Sequence, residues 1–255
     1  MAYWLRFNHQ GSIGFGLIDK DTIQVCSGDL FAEARPTGQR LALAAVTLLP
    51  PCQPSKMLGL WNNFAARAQF ENLQRPSHPL WFVKTNNCFA AHGDPIHRPA
   101  SYQGPVVFEG ELGVVIGKRC NNISEAEADS HIFGYTCVND VTARQILRSD
   151  PSFPQWSRAK SFDSFGPFGP VIATGIEPDG LSVRTLVNGS EKQNYPVADM
   201  FFRPREIVSR LSQDMTLMPG DVIACGTSLG AGPIEEGDLV EVEVEGIGRL
   251  SNRFG

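Results

Sequence analysis

The feature that most constrains this chain is the repeated break of short β-forming runs by turn residues. Residues 3–7 and 13–18 are β-formers around a Gly-containing turn, and Asp19-Lys20-Asp21 leads into a third run over 22–26. Residues 183–187 meet Asn188-Gly189, a strong hairpin signal. Met218-Pro219-Gly220-Asp221 turns into 222–225, and Glu236-Gly237-Asp238 turns into 239–245, where alternating Val and Glu give a strand with one wet face. The 25 Gly and 18 Pro among 255 residues suit many turns and short strands rather than a helical bundle. The reading is a mainly β fold with accessory helices, that is, α+β.

The helices expected are 39–49, a short one from the capping box Ser124-Glu125-Ala126-Glu127 to about 132, 141–148 stopped by Pro151, and 204–211. Residues 106–117 read as one long strand. Pro50, Pro51 and Pro54 punctuate the chain, dividing a small N-terminal β-rich domain, 1–52, from a larger domain, 53–255.

Net charge is −5 with no basic stripe, so no nucleic-acid partner is expected. No membrane partner is expected either, because no run approaches the roughly 20 apolar residues of a spanning helix. The N-terminus lacks the basic and apolar regions of a signal peptide. The six cysteines form no C-x-x-C pair, which argues against a zinc ribbon and for reduced, buried thiols in a cytoplasmic protein.

Chemistry concentrates around Glu109 and Glu111. On a strand, positions i and i+2 share a face, so VVFEGELGVVIG sets two carboxylates side by side among apolar residues. Unpaired, they would repel each other and resist desolvation; a divalent cation removes both problems. A solvated edge strand, as at Glu241, Glu243 and Glu245, is the alternative. Asp140, after the strand expected near 135–138, completes a three-carboxylate, oxygen-only set suited to Mg²⁺, Mn²⁺ or Ca²⁺; a plain helix N-cap is its other reading. Arg144, one helical turn on, can anchor a substrate carboxylate or form an ordinary ion pair. Lys160, in RAKSFDSFGPFGP, can orient an enolate or sit on the surface. Thr227, after the strand 222–225, can offer a hydroxyl to a carboxylate or simply belong to a turn.

Taken together, these segments resemble the fumarylacetoacetate hydrolase family over about residues 56–254. The resemblance runs in order through Gly93-Asp94-Pro95-Ile96, Phe108-Glu109-Gly110-Glu111-Leu112, Asn139-Asp140-Val141-Thr142-Ala143-Arg144, Lys160-Ser161-Phe162-Asp163 and Pro219-Gly220-Asp221 with Gly226-Thr227. It implies a β-roll or sandwich-like catalytic domain, usually in a homodimer. It also implies Mg²⁺ or Mn²⁺ on Glu109, Glu111 and Asp140, catalysis or water positioning by Lys160, and substrate contacts from Arg144 and Thr227. Members act on 2-oxo acids and 1,3-dicarbonyl compounds by C–C hydrolysis, decarboxylation, isomerisation or hydration.

The chain departs from that pattern at three places. Arg67 stands where the family's hydrolases often have a His, and Glu71 lies one place beyond their Glu. Leu147 replaces a Gln, and Ser228 a Pro. The expected activity is a metal-dependent C–C hydrolase of a 2-oxo or 1,3-diketo acid, in aromatic compound catabolism. A decarboxylase, isomerase or hydratase of a 2-oxo dicarboxylic acid is the alternative, and a metal- and acid-binding member without turnover is a third. Residues 62–76 are expected to form a mobile or ligand-ordered segment over the site. There Arg67, always protonated, would bind a second substrate carboxylate, and Glu71 would be the base required for hydrolysis.

Overall fold

The computed structural model describes residues 1–255. A 12-stranded sheet, a four-stranded sheet and a three-stranded sheet carry the chain. Short helices cover them, so the architecture is mainly β with accessory helices, as the turn pattern implied. No helix is long and apolar enough to cross a membrane.

The first strands, Ala2–His9, Ser12–Asp19, Thr22–Ser27 and Arg35–Ala42, form an antiparallel meander. Ala2–His9 also pairs with Gly166–Thr174 through Ala2↔Thr174, Tyr3↔Ala173 and Trp4↔Ile172. The large sheet then continues through Ile132–Asn139, Gly110–Ile116, Val222–Ala224, Met57–Trp61 and Leu80–Lys84. The Asn188-Gly189 hairpin forms as read, with φ of 50° and 76° at its two corners. Helix Pro204–Asp214 also forms, with Pro in its first turn and Ile207, Val208 and Leu211 buried. The capping box at Ser124 and Glu127 starts a helix that ends at Ala128, shorter than expected, because Ile132 already opens a strand.

Three expectations are corrected. Residues 39–49 are not helical. They complete the strand Arg35–Ala42, make a 3₁₀ turn Leu43–Ala45 and form the strand Thr47–Leu49 against Ala2–His9. Cross-strand pairs such as Ile23↔Leu41 override local helix propensity here. Residues 106–117 are not one strand. Val106–Phe108 belongs to the three-stranded sheet and Gly110–Ile116 to the large one, with Glu109 at the crossing. The crossing peptide is satisfied on both sides: Glu109 N–H donates to Asn139 Oδ1 at 3.1 Å, and its carbonyl accepts from Asp140 N–H at 2.8 Å. Residues 141–148 are a two-residue strand, Thr142–Ala143, followed by a 3₁₀ turn, Arg144–Arg148. Pairing of Thr142 with Val107 holds that start extended, so Arg144 does not lie one α-helical turn from Asp140.

A core of 31 buried residues fills the space between the sheets and helix Pro204–Asp214. All six cysteines are buried and unpaired. Burial pushes the Cys137 thiol up to about 12.

Candidate metal centre

Antiparallel pairing of Gly110 with Asn139 brings the start of one central strand beside the end of its neighbour. Glu109, Glu111 and Asp140 meet there, each with a carboxylate oxygen within 4.8 Å of the others. The cause differs from the pleat argument. Glu109 lies in the crossing between two sheets, not on the strand that carries Glu111, and the bend turns it toward Asp140.

Gly110 lets the strand pack closely against Thr185 and Gln193 beside that bend. A Cβ there would stand 2.0 Å from Thr185 Oγ1 and 3.3 Å from Gln193 Oε1, in a buried seam. Gly110→Ala is expected to cost about 1–3 kcal/mol of stability through overpacking, read as a fall in Tm. An unchanged melting curve would contradict this packing.

Around the carboxylates lie buried cations. Lys160, at the end of the short helix Trp156–Lys160, places Nζ 2.5 Å from both Glu109 Oε2 and Asp140 Oδ2. Lys84, fully buried, donates to Asp140 Oδ1 at 2.6 Å and to the Lys160 carbonyl at 2.5 Å. Arg67 pairs with Glu71 at 2.9 Å and stands 3.7 Å from Glu109 Oε1. Glu111 Oε2 accepts the Gly226 N–H at 2.7 Å.

Burial, then the neighbouring Asp140 and Glu109, hold the Glu111 carboxyl well above the usual range. Burial also works to raise Asp140, but Lys160 and Lys84 outweigh it and hold that carboxyl below its ordinary value. Burial would lower Lys160; Asp140, Glu109 and Glu111 together raise it instead, so it stays an ammonium. An oxygen-only donor set in which Glu111 resists ionisation beside two other carboxylates fits a hard divalent cation.

A cavity opens over these groups, lined among others by Trp61, Phe82, Trp156, Arg67, Arg144 and Thr227. Phe82 stacks on Trp156 at 5.3 Å. Arg144 reaches the cavity from the 3₁₀ turn, and Glu71 is not among its walls. The Thr227 hydroxyl is already engaged: it donates to the Gly110 carbonyl at 2.9 Å and accepts from Gln193 Nε2 at 2.8 Å. Segment 62–76 carries the short helix Ala65–Phe70 and has anchors that its polar composition hid. Phe64 is fully buried, and Asn63 Nδ2 donates to the Cys225 carbonyl at 2.8 Å.

Sequence reasoning missed Lys84, Gln193 and Tyr195. Lys84 ends the apolar run LWFVK, where a lysine reads as an ordinary strand end. Gln193 and Tyr195 lie in a hairpin strand far from the site in sequence. Gln193 Oε1 accepts the Gly110 N–H at 3.0 Å, and the Tyr195 hydroxyl donates to the Gly110 carbonyl at 2.5 Å.

The family model described as fumarylacetoacetate (FAA) hydrolase C-terminal matches residues 56–255. The chain belongs to the fumarylacetoacetate hydrolase family. A second model, Rv2993c-like N-terminal, matches residues 4–51. Among relatives, the oxaloacetate tautomerase YisK of Bacillus subtilis is 38% identical over 71% of this chain and 62% of its own length. The 4-hydroxyphenylacetate degradation bifunctional isomerase/decarboxylase of Salmonella dublin is 39% identical over 77% of this chain and 46% of its own. The solved 2-hydroxyhepta-2,4-diene-1,7-dioate isomerase of Mycobacterium marinum superposes with a TM-score of 0.91 at 38% identity, covering 100% of this chain and 98% of that one. This fumarylacetoacetate hydrolase family member is therefore an enzyme, in a family whose named relatives include isomerases, tautomerases and decarboxylases.

Proposed function

We propose that this enzyme isomerises a 2-oxo dicarboxylic acid, by keto–enol or double-bond shift, with Mg²⁺ or Mn²⁺ held by Glu109, Glu111 and Asp140. The observation that carries this reading is the chemistry of the cavity wall. Over the carboxylate triad stand Lys160, Arg67, Arg144 and aromatic rings, and no free base. The one carboxylate of the overlying segment, Glu71, is tied to Arg67. Hydrolysis needs a base that deprotonates a water molecule, whereas isomerisation moves one proton within the substrate, which a single lysine can carry. The names of the relatives, isomerase and tautomerase, support the same choice.

A bound divalent ion supplies a Lewis acid that polarises the 2-oxo acid. The rest falls to the chain. Arg144 binds one substrate carboxylate from the rim, and Arg67 a second. Lys160 Nζ gives a proton to the substrate carbon, and the amine it becomes takes up the proton that the substrate gives up, so the residue ends as the ammonium it began. Thr227, its hydroxyl committed to Gly110, braces the strand on which Glu111 sits. Burial of every cysteine supports a cytoplasmic setting, and the family resemblance supports a homodimer.

The test is a panel of 2-oxo dicarboxylates with added Mg²⁺ or Mn²⁺, following loss of enol absorbance against cleavage products and released CO₂. Cleavage outrunning the absorbance change would sink the isomerase reading. Glu71→Gln sharpens it: the isomerase keeps its rate within about threefold, whereas hydrolysis through a Glu71 base would lose on the order of 10²–10⁴. Arg144→Ala is expected to raise KM about 10- to 100-fold with kcat little changed, the signature of a lost ground-state carboxylate contact. A fall confined to kcat would remove Arg144 from substrate binding.

A further inference from the structure

Two lysines share the Asp140 carboxylate, one on each oxygen, and they are anchored very differently. Lys84 Nζ holds Oδ1 at 2.6 Å and spends its other protons on main-chain carbonyls, Lys160 at 2.5 Å and Val141 at 3.5 Å. It has no exposure, and its carbonyl partners cannot follow a displaced side chain. Lys160 Nζ holds Oδ2 and Glu109 Oε2, both at 2.5 Å, and has no main-chain partner. It also lines the cavity and lies 4.9 Å from the centroid of the Phe82 ring, over its face.

A divalent ion on the triad takes carboxylate oxygens at about 2.0–2.1 Å for Mg²⁺. An ammonium on the same two oxygens would face it across a single atom, where like charges repel strongly. Lys160, bridging two of the three carboxylates, is therefore in direct competition with the ion. We propose that Lys160 is the cation that yields Glu109 and Asp140 to the metal, swinging along the Phe82 face into the cavity, while Lys84 stays and keeps Asp140 aimed at the ion. The inference rests on the metal reading above and deepens it. Metal binding and delivery of Lys160 to the substrate become one event, since the swing that frees the oxygens brings Nζ toward the cavity. The Phe82 ring keeps the displaced ammonium in favourable contact. Lys84 is on this account a positioning residue, acting through Asp140.

The opposite roles give opposite signs in one measurement, Mg²⁺ and Mn²⁺ affinity by calorimetry on the full chain. Lys160→Met removes the competitor and should tighten metal binding by about tenfold or more. Lys84→Met frees Asp140 to turn away and should weaken it by about tenfold or more. Lys160→Met binding metal as weakly as the wild type, or more weakly, overturns the competition. Lys84→Met binding metal as well as the wild type overturns the positioning role. If Lys160→Met unfolds without metal, refolding by Mg²⁺ below the wild-type Kd supports the inference and failure to refold overturns it. If the wild-type protein binds neither ion, the metal reading falls, and this inference with it.

Discussion

Glu111→Gln is expected to lower metal-dependent turnover by on the order of 10²–10³-fold or more while raising the Tm measured in a chelator. Glu111 is 1% exposed and stands beside two further carboxylates. Desolvation and repulsion both oppose a negative charge there, so ionising it costs the fold. Glutamine keeps the shape and removes the charge, so the fold is relieved of a cost. The same change takes one anionic ligand from the triad, so the metal is held by two carboxylates instead of three. Metal-induced stabilisation, read as the gain in Tm on adding Mg²⁺ or Mn²⁺, should shrink or vanish. A variant that melts lower in chelator and gains as much from metal as the wild type would refute both halves. Stability and function pull apart at this residue, as they do where a site is built at the expense of the fold.

Lys160→Ala is expected to lower kcat by on the order of 10²–10⁴-fold with a much smaller change in KM. Lys160 is 3% exposed, so its charge is shielded from bulk water, and it lines the cavity above the carboxylates. Small primary amines added to Lys160→Ala should restore part of the rate in proportion to how well they fit the vacated space. A rate unchanged in the variant would end the catalytic assignment. A loss in KM alone would move Lys160 to substrate binding.

The residues of the candidate site were more legible than their geometry. Turn chemistry is local, so Asn188-Gly189 and the Ser124–Glu127 capping box could be read from neighbouring letters. Helix Pro204–Asp214 was legible for the same reason, from its first-turn proline. Glu109, Glu111 and Asp140 stood out as carboxylates among apolar residues. The bend that gathers the first two was invisible, because it depends on Asn139 receiving the Glu109 N–H across thirty positions of sequence. Residues 39–49 and 141–148 misled because short strands are decided by partners such as Ile23 and Val107, which a local pattern does not contain. Lys84 was illegible altogether: its meaning is its contact with Asp140, 56 residues away.

The pairing of Ala2–His9 with Gly166–Thr174 has a consequence for how the chain can be cut. A strand stripped of its neighbour offers bare amide and carbonyl groups to any passing chain. The opening meander therefore works as a seam cover on the larger body, and its outermost strand, Arg35–Ala42, carries Arg35, Pro36, Gly38 and Arg40 on a nearly fully solvated edge. Charge, proline and glycine are what discourage further pairing at a sheet's rim. The first fifty residues, which hold none of the groups at the candidate metal centre, thus move the vulnerable border of the sheet to a strand built to tolerate being last.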